Sequence, residues 1–520
     1  MTSSRSLRIA ISLALGLAAA PVFADDAALK AEVDALRAAL AEQKAQMETQ
    51  ARLLEAQQQK LDELTQKLGQ NKVATPDAPK VALNNSRPVI TAADGRSSFA
   101  VRGVAQLDSA RYGESAEGPL ATDFRRGSIG GGRENNAARD FSDGMFFRRA
   151  RMGFEGTFNR DFNYRLLLEL GGSGTEGPAR INDAWIGYTG LAPFTFQLGA
   201  FSPPSNMDDG TSPEDQVFIE RASSSELSRA LGGADGRLGL GVRASGNRYM
   251  SSLTFTSRTV NDAEAFENQF AAVGRFGGLV ATSDDYNVHF GASASYVFSP
   301  ADQGSSAAGA RHSIRFRDRP EIRVDSVRLI DTGAIEAAHA SVYGVEFGAN
   351  WKNLYFQGEN FWFDVDRRDS ALDDPSFGGY YLQGSWLLTG ERRRYNAATG
   401  SFQNPRPKAN FDRQGGWGAF ELAARFSHTD LNFNEGDAGL APITGAVRGG
   451  EQDVLALGVN WYLNPNIKVL FNYLMIDVDR LNPAGPGNAT PFGAGVATPP
   501  IGAEIGQDLD VYALRTQFSF

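Results

Sequence analysis

The run Leu455-Ala-Leu-Gly-Val-Asn-Trp-Tyr-Leu463, the short turn Asn464-Pro-Asn466 and the run Ile467-Lys-Val-Leu-Phe-Asn-Tyr-Leu-Met-Ile476 decide how this chain is read. In the first run Leu455, Leu457, Val459, Trp461 and Leu463 alternate with Ala456, Gly458, Asn460 and Tyr462. In the second, Ile467, Val469, Phe471, Tyr473 and Met475 alternate with Lys468, Leu470, Asn472, Leu474 and Ile476. A period of two is that of a strand, whose successive side chains point to opposite faces. Phe162–Leu170 and Arg237–Ala244 repeat the pattern, with Asn163, Arg165 and Glu169, and Arg237, Gly239, Gly241 and Arg243, on the second face. One face is apolar and ends in aromatics; the other is small, polar or charged. Lipid outside and water inside a transmembrane β-barrel account for this. A soluble sandwich would bury the apolar face instead.

Turn lengths also alternate. Short turns stand at 159–161, 191–193, 245–248, 283–285, 352–353 and 464–466, and long loops near 113–144, 202–236, 299–338, 429–450 and 479–506. The expectation is an all-β fold: a 16-stranded antiparallel transmembrane β-barrel over residues 98–520, preceded by an N-terminal α-helical coiled coil. One connection, 391–416, is long where a short turn is due. Either it folds up into the lumen or the strand count is out there. The last strand ends at Phe520, with Tyr512, Leu514, Thr516 and Phe518 on the same face. Such an ending resembles the signal read by outer-membrane assembly machinery.

Upstream of the barrel, residues 1–24 read as a secretory signal peptide, with Arg5 and Arg8 before the apolar run Ile9–Ala20 and small residues around Ala24. The run is short for a membrane anchor. Residues 25–69 read as a coiled-coil stem. Val33, Leu40, Met47, Leu54, Leu61 and Leu68 hold one heptad position, and Leu29, Leu36, Gln43, Gln50, Gln57 and Leu64 the other. Such a helix is roughly 60 Å long, and a parallel homotrimer is the favoured assembly, although the heptads do not separate trimer from dimer. The stem also has the reach to tether the barrel toward peptidoglycan. Residues 70–97, with Pro76, Pro79 and Pro88, read as a linker.

Composition narrows function. The chain has 520 residues, no cysteine and a net charge of -10. Thiolate metal sites are excluded, and the acidic balance argues against nucleic acid as a partner. His289, His312, His339 and His428 show no metal-ligand spacing, and no serine–histidine–acid set suggests catalysis, so neither metal, cofactor nor enzymatic activity is expected. Residues 98–520 hold only Lys352, Lys408 and Lys468 against 36 arginines. Lysine and arginine contribute equal charge, so the bias concerns geometry.

The arginines concentrate in Ile314-Arg-Phe-Arg-Asp-Arg-Pro-Glu-Ile-Arg-Val324. If extended, Arg315, Arg317, Arg319 and Arg323 share one side with Glu321, and Ile314, Phe316, Ile322 and Val324 the other. Guanidiniums about 7 Å apart along a strand would pass an anion from one to the next. The plainer reading is a charged loop or a patch for lipopolysaccharide phosphates.

Phe147-Arg-Arg-Ala150 with Gly153-Phe-Glu-Gly156, Ile181-Asn-Asp-Ala-Trp185, Ser212-Pro-Glu-Asp-Gln216 with Ile219-Glu-Arg221, and Asn460-Trp-Tyr-Leu-Asn-Pro465 together resemble the phosphate-selective porin O and P family. The resemblance covers essentially all of 98–520. It implies a trimeric outer-membrane barrel of a Gram-negative bacterium that passes phosphate, polyphosphate or other small anions. Inward-folded loops narrow such a barrel, and an arginine ladder leads to the constriction. By position the ladder falls on Arg315, Arg317, Arg319 and Arg323, and the constriction on Arg148, Arg149, Asp183 and Arg221. Asp183 and Arg149 fit inward faces; Arg148 fits only at a bulge or the rim. Family pores also draw anions with lysines, which are nearly absent here. A general porin without phosphate preference is the alternative.

Overall fold

The computed structural model describes residues 26–70, 78–84, 86–115, 141–172, 179–262, 266–304, 310–483 and 501–520. The expected signal peptide lies outside them. The chain divides into two units, residues 1–78 and 79–520. The first holds one helix, α1 (Asp26–Gln70), over the span where the heptads were read. Leu40 and Met47 of its stripe are 70% and 65% exposed on the single chain.

The second unit is a closed antiparallel barrel of 16 strands. They are β1 (Ser98–Ser115), β2 (Gly144–Phe158), β3 (Phe162–Glu169), β4 (Arg180–Leu191), β5 (Phe194–Phe201), β6 (Arg237–Ser245), β7 (Tyr249–Thr259) and β8 (Phe270–Thr282). Then follow β9 (Tyr286–Ser299), β10 (Ile335–Trp351), β11 (Leu354–Arg367), β12 (Ser376–Leu387), β13 (Ala419–Phe433), β14 (Val447–Tyr462), β15 (Ile467–Asp479) and β16 (Asp508–Ser519). Each pairs with the next, and β16 pairs with β1, with Leu514 opposite Ser109. Phe520 seals the seam: its backbone exchanges hydrogen bonds with Gly103 at 3.0 and 3.1 Å. A Cβ at Gly103 would stand 2.5 Å from the Phe520 ring, so only glycine leaves room for that ring. Leu198, Leu240, Phe290, Trp362, Leu382, Leu457 and Phe471 are exposed on the outer face, as a lipid-facing band requires.

On the short-turn side one expectation changes and one alternative is decided. Residues 80–91, read as linker, form a hairpin, Lys80–Asn84 with Arg87–Thr91, whose second strand pairs with β1 through Val89 and Ala100. Its prolines were misleading, because Pro88 sits where the strand needs no donor of its own. Residues 391–416 do fold into the lumen, and the strand count stands. Their small hairpin, Arg394–Asn396 with Ser401–Gln403, seats Phe402 on Tyr355 with ring centroids 5.0 Å apart. Arg393, 1% exposed, donates to Glu421 at 2.7 and 2.9 Å and to the Asp215 carbonyl at 3.0 Å.

The lumen is divided. The loop 202–236, with helices α2 (Met207–Gly210) and α3 (Ser223–Gly232), and the segment 310–334 fold inward. Val217, Phe218, Ile219, Leu227, Ile314, Phe316, Ile322 and Ile330 join one buried cluster with Phe361, Phe363, Leu470, Leu474, Ile476 and Val511 of the lumen wall. That explains the apolar residues on the inward face of β15. They are the seat of the loops, packed on the β10–β16 side. The two larger cavities lie on the β1–β7 side.

Replacing Arg393 with alanine leaves Glu421 buried and short of its cation. The expected cost is about 3–5 kcal/mol, read as a lower urea midpoint for the vesicle-embedded barrel. An unchanged midpoint would refute the role of this clamp.

Candidate functional site

Where the inward loop 202–236 meets the wall, charges interlock. Along β1 and β2 the register steps from Gln106 opposite Arg149 to Leu107 opposite Phe147, so Arg148 is the extra residue of a β-bulge. The bulge turns Arg148 and Arg149 both inward, 6% and 4% exposed. Arg148 grips Glu220 with two bonds, at 2.7 and 3.2 Å. The same carboxylate receives Arg515 of β16 at 2.8 Å and lies 3.3 Å from Arg323 of the segment 310–334. Burial alone would push the Glu220 carboxyl up. The guanidiniums of Arg148, Arg323, Arg515 and Arg149 outweigh it and hold the group well below the ordinary carboxylate range. Arg149 itself donates to Gln106 at 2.8 Å and has no carboxylate partner among the described residues.

The arginine row is only half as expected. Arg315 and Arg317 are exposed while Ile314 and Phe316 are buried, and Phe316 meets Phe363 edge to face with ring centroids 5.2 Å apart. Arg315 pairs with Asp331. Beyond Asp318 the alternation ends. Glu321 adopts a φ of +56° and turns the chain. Its carboxylate accepts from Arg425, from the Ser427 hydroxyl at 2.5 Å and from the Ser223 amide at 3.0 Å. Arg319 and Arg323 are consequently buried, at 2% and 9% exposed, rather than facing water. Arg323 binds Glu226 at 2.8 Å. The Arg323 side chain and the Arg319 carbonyl, which accepts from the Ser223 hydroxyl at 3.2 Å, tie one inward loop to the other.

Against β1–β7 lies a cavity of about 420 Å³ lined by Arg102, Arg151, Arg165, Arg221 and Arg243, with Asp183, Asp209, Glu214 and Asp235 between them. A second bulge at Asn182 turns Asp183 inward, 3.6 Å from Arg165. Arg221 uses its donors within its own loop, on the Asp208 and Thr211 carbonyls at 3.2 Å each. Arg151 is held by Glu169 at 2.7 Å and Asp235 at 2.9 Å. The half-buried side chain of Arg243 makes no hydrogen bond or ion pair among the described residues. Arg102, Arg165 and Arg243 were not singled out from the sequence, although all three fall on inward positions of alternating strands.

The strand pairing also brings His428 of β13 beside Asp453 and Glu451 of β14, with candidate ligand atoms within 4.8 Å of one another on partly exposed side chains. No spacing within the chain announced this group, because its members come from neighbouring strands.

The family model for phosphate-selective porin O and P matches residues 118–490. This chain belongs to the phosphate-selective porin O and P family. Membership of that family and the closed barrel support a place in the Gram-negative outer membrane. An uncharacterised protein of Caulobacter vibrioides is 25% identical over 358 residues, 67% of this chain and 66%, just under two thirds, of that relative's own length. Porin O of Pseudomonas aeruginosa is 23% identical over 355 residues, 65% of this chain and 78% of the relative. The solved outer membrane protein OmpT of Vibrio cholerae superposes with a TM-score of 0.45 at 11% identity, covering 82% of this chain and 98% of that one.

Because the folded-state value of Glu220 lies below its ordinary 4.5, the clamp contributes fully above that pH and is lost as the pH falls well beneath it. The part of the pH response of single-channel conductance that Glu220→Gln abolishes should set in only below about pH 4.5, as a larger and noisier current. Its onset above pH 5.5 would contradict this order.

Proposed function

We propose that this porin passes anions, phosphate or polyphosphate foremost, by passive diffusion along arginines on the β1–β7 side of its lumen. The observation that carries the reading is Arg243: a cation on the cavity wall with no counter-charge bonded to it among the described residues. A guanidinium in that state exchanges its water for the oxygens of a passing anion at little cost, since it is weakly hydrated and its fork fits phosphate. Arg315 and Arg317, exposed on the long-loop side, serve as outer steps. Arg165, Arg102 and Arg221 serve as inner ones, and Asp183 speeds release by weakening each stop. Arg148, Arg149, Arg319 and Arg323 shape the constriction by anchoring its loops.

A general porin without phosphate preference is the second reading, favoured by the carboxylates Asp183, Asp209, Glu214 and Asp235 along the same wall. We further propose that α1 assembles with copies of itself into a periplasmic trimeric stem, which also has the reach to approach peptidoglycan. The exposed Leu40 and Met47 support a partner on that stripe.

Planar-bilayer recording in a salt gradient tests the channel reading. The expected result is an anion-sided reversal potential and a phosphate block weakened about tenfold by Arg243→Ala, the loss of one charge-assisted pair. Anion preference without a phosphate effect would favour the general porin, and cation preference would remove the anion assignment. Deleting residues 29–68 should abolish trimers on native gels; trimers that persist would leave tethering as the stem's role.

A further inference from the structure

At the short-turn mouth of the barrel, a cavity of about 880 Å³ is lined by Arg87, Arg102, Arg165 and Glu155. The three guanidiniums come from three places: the hairpin ahead of the barrel, β1 and β3. All converge on one carboxylate of β2. Arg87 Nη2 stands 2.6 Å from Glu155 Oε1, and Arg165 Nη2 and Arg102 Nη1 stand 2.7 and 3.8 Å from Oε2. The side chains are only 20–30% exposed. Glu214 and Asp183 also face the group, 3.0 Å from Arg102 and 3.6 Å from Arg165.

The Nε groups of Arg87 and Arg165 are buried without a hydrogen-bond partner, and so is Oε2 of Glu155. A buried guanidinium donor left unmade is costly, and an added oxyanion would satisfy it. The Glu155 oxygens already occupy positions that two oxygens of a phosphate or carboxylate ligand would take. The floor is firm: Arg165 lies over the Trp185 ring, 5.5 Å from its centroid.

We propose that Arg87, Arg102 and Arg165 form an oxyanion site at the exit of the passage, and that Glu155 is its resident placeholder, displaced by each passing ion and returning behind it. The proposal rests on the anion-passage reading and adds to it a site completed by a residue outside the barrel strands. A carboxylate that competes for the same guanidiniums keeps the dwell of a tetrahedral oxyanion short, because two like charges cannot share the site for long. That is what throughput demands of a last binding step.

The test is the dwell time of inorganic phosphate on single channels of the full-length protein. Glu155→Gln keeps the shape and removes the competing charge, so phosphate blocks should lengthen about tenfold or more. Arg87→Ala, in the hairpin ahead of the barrel, should shorten them, and combined with Glu155→Gln should cancel most of the gain. Equal dwell times in wild type and Glu155→Gln would overturn the proposal, as would Arg87→Ala behaving like wild type should Glu155→Gln fail to assemble. A chloride reversal potential taken on the same channels separates the two levels. Anion preference with unchanged dwell times sinks the exit site alone, whereas cation preference sinks it together with the reading beneath it.

Discussion

One carboxylate, Glu220, fixes where water runs through this barrel. It sits on an inward loop and meets guanidiniums from the bulge of β2, from β16 and from the other inward loop. A carboxylate only 6% exposed is tolerable because these cations surround it, and their burial is tolerable because it is there. The mutual dependence pins the loop against the seam. With apolar seats on β10–β16 already holding its Val217–Ile219 edge, the passage is left along β1–β7.

The same constraint explains the preference for arginine over lysine. Arg275 with Glu346, Arg393 with Glu421, Arg425 with Glu321 and Arg515 with Asp108 are all buried pairs inside the lumen. A planar fork meets a carboxylate with two bonds and can reach a loop carbonyl with what remains, as Arg393 does at Asp215 and Arg515 at Ile219. An ammonium does neither so well. Much of the arginine excess is therefore structural. In the passage we propose, the cations that would meet a travelling anion are fewer: Arg243 on the wall, the shared trio at the short-turn mouth and Arg315 and Arg317 on the long-loop side.

The barrel was legible because lipid imposes a period of two on a strand, and the alternating runs at 162–170, 237–244, 455–463 and 467–476 and the last run to Phe520 all fall on strands. The bulge at Arg148 was legible as a condition, since two successive arginines face one lumen only across a bulge. What the sequence concealed depends on contacts between distant residues. The turn at Glu321 follows from Arg425 and Ser427, about a hundred positions away, so the arginine row looked continuous. The segment 391–416 could be read as misplaced length, and the reason for it, the pairing of Arg393 with Glu421, was not visible. Leu470 and Leu474 on a face meant for water were the overlooked sign that something apolar would cover them.

The most direct measurement is the single-channel conductance of Glu220→Ala beside wild type, in barrels shown to be closed by their heat-modifiable gel mobility. If Glu220 holds the loop in the lumen, the variant should conduct at least about twice as much, with weaker discrimination between anions and cations, as a widened aqueous path allows. Conductance and selectivity equal to wild type in a closed barrel would contradict the account, because the loop would then be held without the interaction on which it has been made to depend.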